Sequence, residues 1–533
     1  MTRRVGLVLG RVVFYVLLWA GIALLIAAAL IRSFWGSISV NQMVLNLVSV
    51  ETDGGGGALV WIGVLGVGVL PLVITGSVAA WRHRRRRRYP SAGDLTAYRR
   101  RNRARTAFAL LVATMAVGGT TAFSEVVAVG DYIEGGNSRY DLGEYTVDPV
   151  ITGEGQKRNL VLIYLESGEA TLADDQLFEK DAFASLKDAT QEADGWQSID
   201  DLQQYRGGGW TMAGLVSTQC GIPLKGVLAA ASNGAFDEQG DVATYLGGTT
   251  CLGDVLEEHG YTSMFLGGAN AAFAAKETFL RNHGYSVVKD LAHWRATGEP
   301  STSFRSDWGL SDQRLLAHAR DEIDALHADA EATGTPFNLS ILTLDTHEPA
   351  HVHDYCPVDT ANELASVFSC SMTEVAGFVD HMEEKGYLDD TAVVIMGDHL
   401  KHMNANDQFH EQLDHHPDRT IFNRLWIPGG AVDGSNGALR AGVDQLNLYP
   451  TLLEAAGLTL KDRQAGLGVS VLAPEIPAGS AQAMDPRRYG ELLDSRSADF
   501  YTEAWTAKND AGHGGHRGVP QPQDQGISIL QGP

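Results

Sequence analysis

The stretch Asn159–Ser167, NLVLIYLES, is a short, unbroken apolar run that stops at a glutamate. A strand that shows no polar alternation is buried on both faces, which is the condition of a parallel sheet covered by helices. Three other runs share its character: Ser263–Leu266, Asn338–Leu344 (NLSILTL) and Thr391–Met396 (TAVVIM). Between them, Asp312–Ala332 and Ser371–Lys385 carry helical spacing with charged faces. Strands alternating with helices predict an α/β domain, with a mainly parallel sheet sandwiched by helices.

The strand ends carry the chemistry. The first runs into Glu166-Ser167, the third into Asp345-Thr346-His347, and the fourth into Gly397-Asp398-His399. Ligands of open α/β sheets sit outside the carboxyl ends of the strands. Glu166, Asp398 and His399 are therefore expected at one sheet edge, although more than 230 residues separate the first from the last. Two carboxylates and an imidazole suit a divalent cation such as manganese, magnesium or zinc. Each residue taken alone reads as a helix cap or a solvated loop charge; it is the three strand ends with this chemistry together that point to a site.

Upstream lie three apolar stretches, Val12–Ile31, Ala58–Trp81 and Ala107–Val129. At about 1.5 Å of rise per residue, each can cross a hydrocarbon core of roughly 30 Å. Eleven arginines fall between Arg82 and Arg105, whereas the loop from Arg32 to Gly57 has one Arg and no Lys. Basic loops stay in the cytoplasm, so the amino terminus and residues 82–105 are expected inside and everything after residue 130 outside. The expected organisation is a membrane anchor with three transmembrane helices over 1–130, a Gly-rich linker over 131–158, and an extracytoplasmic catalytic domain over 159–476. A polar tail follows over 477–533, its last two dozen residues expected to be disordered.

Residues 1–105 hold 15 of the 41 Lys and Arg and 3 of the 65 Asp and Glu, so the remainder is strongly acidic. That balance argues against a nucleic-acid partner. All four cysteines, Cys220, Cys251, Cys356 and Cys370, lie in this exterior part, where an even number predicts two disulfides. Three connectivities are possible, and proximity favours Cys220–Cys251 with Cys356–Cys370. No C-x-x-C pair supports a zinc site instead.

The run Gly209–Leu224, GWTMAGLVSTQCGIPL, contains four candidate nucleophiles: Thr211, Ser217, Thr218 and Cys220. Three glycines precede Trp210 and a helical pattern follows, which places Thr211 at a helix amino terminus. Backbone N–H groups and the helix dipole favour an anion such as phosphate there. Ser217 and Thr218 fall nearly two turns inside, and Cys220 is assigned to a disulfide. A hydroxyl is a weak nucleophile at neutral pH unless a base or a cation activates it. Thr211 also fits a simple N-cap.

The ordered series NLVLIYLES, GGGWTMAGLVSTQCGIPL, GYTSMFLGGAN, TLDTHEP, MGDH and LNLYPTLLEAAG resembles the alkaline-phosphatase-like, sulfatase-type superfamily. Within it the chain looks most like the membrane phosphoglycerol transferases that modify periplasmic glucans, and like the lipoteichoic acid synthases. The resemblance implies that Glu166, Thr211, Asp398 and His399 bind one divalent metal, manganese foremost, and that Thr211 is the nucleophile. It makes His347 a substrate-binding catalytic histidine that stabilises phosphoryl oxygens or protonates the leaving group. Where the synthases carry a Trp and an Arg, this chain has Ala274 and Lys276, so Lys276 keeps the substrate-binding charge and the aromatic wall is absent. The sulfatase signature C-x-P-x-R is missing at Thr211, which disfavours sulfate-ester hydrolysis.

The implied reaction transfers glycerophosphate from phosphatidylglycerol, in the cell membrane, to an extracytoplasmic glycan or glycolipid. Phosphoethanolamine transfer, phosphodiester hydrolysis and a catalytically dead scaffold are the alternatives. His402, His410, His415 and His416 crowd the segment after the metal motif, as further ligands, substrate contacts or a solvated polar loop.

Overall fold

The computed structural model describes residues 2–48, 57–88, 95–226, 235, 242–305, 308–402, 407–414, 416–429 and 439–506. The amino-terminal part is helical. α1 (Thr2–Phe34) is followed by a short helix α2 (Val40–Val48). α3 (Gly57–Gly63) runs through a π-helical stretch, Val64–Val69, into α4 (Leu70–Arg88), and α5 (Leu95–Val126) completes the group. Among the described residues, three apolar spans long enough to cross a bilayer lie at Gly10–Phe34, Val60–Arg85 and Asn102–Val126. α1 and α5 pack through glycines: a Cβ at Gly119 would stand 2.3 Å from the Gly21 carbonyl oxygen. Small residues allow this close backbone approach between membrane helices.

β1 (Ile151–Glu154) lies within the span read as a linker and pairs antiparallel with a later strand, Leu458–Leu460. Among the described residues the main sheet has six strands: β2 (Asn159–Leu165), β3 (Thr262–Gly267), β4 (Tyr285–Lys289), β5 (Phe337–Leu342), β6 (Thr391–Gly397) and β7 (Asn423–Trp426). Their order is β4-β3-β5-β2-β6-β7, parallel except for β7. This is the expected mainly parallel α/β sheet. β4 and β7 were invisible in the sequence because they are short edge strands with partly exposed residues, which leave no continuous apolar run.

β2 lies at the centre and divides its side chains between two cores. Leu160, Leu162 and Tyr164 join the core formed with α6 (Thr211–Cys220). Val161, Ile163 and Leu165 join the core formed with α7 (Asp312–Thr333) and α8 (Glu363–Glu384). Alternate residues of a strand face opposite sides, so an unbroken apolar strand requires both layers.

The folded domain runs past residue 476, where the tail was expected to begin. After α9 (Leu448–Ala455) come α10 (Pro486–Asp494) and α11 (Ala498–Ala504), which bury Leu492, Leu493 and Tyr501 in the α6-side core, together with Trp505. The surrounding polar residues hide these few anchors from a composition-based reading. The residues expected to be disordered lie beyond residue 506, outside the described residues.

Candidate active site

Leu165 pairs with Gly397, so Glu166 and Asp398 leave adjacent parallel strands side by side. The turn after β2 is tightly made. Ser167 adopts a left-handed backbone, its N–H donates to Asp398 Oδ1 at 2.9 Å and its hydroxyl to Glu166 Oε1 at 2.8 Å. The end of β5 joins them, because Thr343 Oγ1 accepts from the Glu166 N–H at 2.9 Å and the Thr346 hydroxyl donates to the Glu166 carbonyl at 2.6 Å. Glu166, Asp398 and His399 are 3%, 0% and 1% exposed.

α6 begins at Thr211, after Trp210 in extended backbone. The Thr211 hydroxyl donates to Glu166 Oε2 at 3.3 Å. One turn on, a Cβ at Gly214 would stand 2.1 Å from the Asp398 carbonyl oxygen, so only glycine lets the helix lie against that backbone. Ser217 and Thr218 are fully buried and donate back to the Gly214 carbonyl, which removes them from any open site. Cys220 is bonded to Cys251, and Cys356 to Cys370.

The three buried ionisable groups shape one another. Burial, and then the Glu166 charge, push the Asp398 carboxyl up to about 7. Burial pulls the His399 imidazole down, but Asp398 and Glu166 outweigh it and raise it to about 9. Burial likewise raises Glu166, and there His347 and His399 win, holding it well below the usual carboxylate range. His399 Nδ1–H donates to the Leu400 carbonyl at 2.7 Å, which leaves Nε2 facing Glu166 Oε1 at 3.5 Å and Asp398 Oδ2 at 3.6 Å. Such second-sphere anchoring of one ring nitrogen presents the other as a ligand. Among the described residues, Asp398 Oδ2 is buried without a hydrogen-bond partner. The ligand atoms of Glu166, Asp398 and His399 all lie within 4.8 Å of one another. An orphaned carboxyl oxygen in a buried cluster of two carboxyls and an imidazole is the donor set a divalent cation would satisfy.

His347 stands across from this group. Burial holds its imidazole below the usual range, and Nδ1 bonds the Glu348 carbonyl at 2.6 Å. Two residues that the sequence reading missed hold it. Arg305, 2% exposed, donates to the carbonyls of Asp345 and His347 at 3.0 Å each and of Pro349 at 2.7 Å. Trp308 donates to the Glu348 carbonyl at 3.0 Å and lays its ring 4.0 Å from the His347 ring. Phe273 meets Trp308 edge-on at 5.9 Å. Trp308 and Phe273 both line the cavity. Their signal in the sequence is an aromatic–arginine pair, Arg305 and Trp308, placed well beyond Ala274.

Lys276 is buried at the start of a short helix, where burial lowers its ammonium and Glu166, Asp290 and Asp398 push back. Asp345 turns away from the cavity, accepting from the Asp312 N–H, His353 Nε2 and the Tyr355 hydroxyl. Of the four crowded histidines, His402 sits with its ring 5.0 Å from that of His399, and burial keeps it neutral. His410 pairs with Asp414 at 3.6 Å, and His415 lies outside the described residues. A cavity of about 720 Å³ collects Glu166, Thr211, Lys276, Trp308, His347 and His402.

Phosphoglycerol transferase I of Xanthomonas axonopodis pv. citri is 32% identical over 362 residues, 66% of this chain and 48% of that protein. Phosphoglycerol transferase I of Salmonella paratyphi B is 29% identical over 388 residues, 69% of this chain and 47% of that protein. The chain spans about half the length of these curated relatives. A solved lipoteichoic acid synthase from Listeria monocytogenes covers 65% of this chain with 92% of its own, at 14% identity and a TM-score of 0.47. The sulfatase family model matches residues 158–458, from the first residues of the central sheet to the strand that pairs with β1, and across that majority of its length the chain belongs to the sulfatase family.

Proposed function

We propose that this chain is a membrane-anchored phosphotransferase that moves glycerophosphate from phosphatidylglycerol to an extracytoplasmic glycan or glycolipid. The observation that carries the reading is the Thr211 hydroxyl in contact with Glu166, inside the buried Glu166–Asp398–His399 set. A divalent cation held by these four residues, manganese foremost with magnesium and zinc as alternatives, would acidify the hydroxyl and neutralise phosphoryl charge. Thr211 Oγ1 attacks phosphorus, the bond to the diacylglycerol oxygen breaks, and a glycerophosphoryl-threonine forms. An acceptor hydroxyl then attacks the same phosphorus and restores the threonine. His347, held neutral by burial and tied through Nδ1, offers Nε2 to take a proton from an entering hydroxyl and return it to a leaving oxygen. Lys276 supplies positive charge near the bound anion, while Trp308 and Phe273 bound the cavity.

In this reading residues 1–130 anchor the chain, and the amino terminus and residues 82–105 are cytoplasmic. The domain beginning at residue 159 acts on the outer side of the cell membrane. Reporter fusions after residue 150 that were active only in the cytoplasm would overturn that orientation.

The deciding experiment incubates the full-length chain with phosphatidylglycerol and a divalent cation and maps adducts by mass spectrometry. One glycerophosphoryl unit on the peptide carrying Thr211 is the expected result. An adduct elsewhere, or a phosphoethanolamine adduct from phosphatidylethanolamine in its place, would replace this reading.

A further inference from the structure

The cavity that reaches Thr211 does not stop at the catalytic domain. From Glu166, Thr211 and Lys276 it continues past Phe273 and Trp308 to the membrane helices. Along α1 its wall is formed by Leu24, Ala27, Leu30, Ile31 and Phe34, whose three- and four-residue spacing makes one helix face. Opposite stand Val64 and Val67 of the π-helical stretch. α2 closes the gap between the two parts. Its Leu45 is fully buried in the same core as α6, its Asn41 Oδ1 accepts from the Gly226 N–H at 3.2 Å, and Met43 and Leu47 face the cavity. Just before α2, the Ile38 N–H donates to the Val126 carbonyl at 2.9 Å, fixing the connection to α5.

The wall therefore changes character along its length. One end is polar, cationic and metal-ligating, while the other is hydrocarbon-like and built from helices whose outer faces are long and apolar enough to lie in a bilayer. At about 720 Å³ the space falls within the roughly 300–1,000 Å³ usual for ligand pockets. An amphiphile with an anionic phosphate head and apolar tails has the same order of chemistry.

We propose that this cavity is the binding site for the acyl chains of a glycerophospholipid, lifted from the bilayer so that its phosphate reaches Thr211. The proposal rests on the lipid-donor reading above. Its physical reason is that Thr211 lies in the catalytic domain rather than among the spans. A lipid raised to it would drag methylenes into water, at roughly a fourfold loss of occupancy for each one exposed. A channel walled by α1, α2 and the π-helical stretch keeps those methylenes in apolar surroundings throughout.

The test uses the full-length chain in lipid nanodiscs containing phosphatidylglycerol with a diazirine on one acyl chain. Irradiation should label peptides spanning 24–34 of α1 and 43–47 of α2. Ala27→Trp, and independently Leu30→Trp, should lower the ratio of turnover on phosphatidylglycerol to turnover on soluble bis(4-nitrophenyl) phosphate by about fifteenfold, the effect of about two methylenes denied a place. Labelling confined to outward positions such as Val12, Val13, Leu72 and Val73, which are exposed, would overturn the proposal. An unchanged ratio in both variants would do so too. Labelling inside the cavity by a chain that never transfers glycerophosphate would instead overturn the reading of function and leave the lipid site standing.

Discussion

Gly214 approaches Asp398 so closely that a Cβ built on it would stand 2.1 Å from the Asp398 carbonyl oxygen. The obstacle is backbone, which cannot swing aside as a flexible side chain does. Gly214→Ala is therefore expected to push α6 away from the end of β6, costing about 1–3 kcal/mol of stability and separating Thr211 from Glu166, Asp398 and His399. Thermal unfolding together with turnover checks it. An unshifted melting temperature with full activity would show that the helix does not rest on this contact.

Thr211→Ala is expected to lose activity by several orders of magnitude while still binding a divalent cation, because Glu166, Asp398 and His399 remain. Thr211→Ser should keep part of the activity, since the hydroxyl survives and only the β-methyl that restricts χ1 is lost. Turnover measured beside calorimetric metal titration separates the two effects. Substantial turnover by Thr211→Ala would remove the threonine from the centre of the mechanism.

Metal binding should be proton-coupled. Without a cation, Asp398 titrates near 7 and His399 near 9, so each holds a proton over part of the physiological range. A ligating carboxylate and a ligating Nε2 carry none, and binding must release those protons. Affinity therefore strengthens as pH rises through about 7 toward 9 and weakens as it falls. Calorimetry in two buffers of different ionisation enthalpy reads the proton release directly. A dissociation constant independent of pH would contradict the assigned ligand set.

Arg305 holds the backbone that carries His347, so under the proposed function it is a positioning residue. Arg305→Leu removes the donor to the carbonyls of Asp345, His347 and Pro349. Each buried acceptor left without a partner costs about 1–3 kcal/mol. Stability should fall, and the limb of the pH–rate profile that reports His347 should move. A purely structural residue would lower the yield of folded protein without moving that limb.

The Cys356–Cys370 bond closes a short loop between the His347 segment and α8. Replacing both cysteines by serine is expected to cost about 2–4 kcal/mol. Alkylation of the denatured, non-reduced wild type should find no free thiol, and four alkylated cysteines would refute the pairing.

The central strands were legible because burial on both faces writes an unbroken apolar run, as in β2, β5 and β6. β4 and β7 sit at the sheet edges and carry no such mark. Glu166, Asp398 and His399 were legible because parallel strands bring their carboxyl ends to one edge. Arg305 and Trp308 were not, since what each one does depends on where an irregular segment crosses the sheet edge. A comparison of residues at matching positions around Ala274 does not register Trp308, which reaches the cavity from more than 30 residues downstream. The burial of α10 and α11 was hidden for a different reason: a few apolar anchors among many polar residues leave the average composition unchanged.

Those last helices impose an order on biogenesis. The Trp505 indole donates to the Lys225 carbonyl and the Tyr501 hydroxyl to the Pro223 carbonyl, so the chain closes onto the segment leaving α6. On the ribosome, β2 is made early and waits for β6, its parallel neighbour, which follows more than 220 residues later. The seal around Pro223 comes later still. A nascent chain already containing Thr211, His347 and His399 therefore has an open core until residues 486–505 arrive. Nonsense variants within that interval discard none of these candidate site residues, yet they leave the α6-side core open to the quality-control proteases.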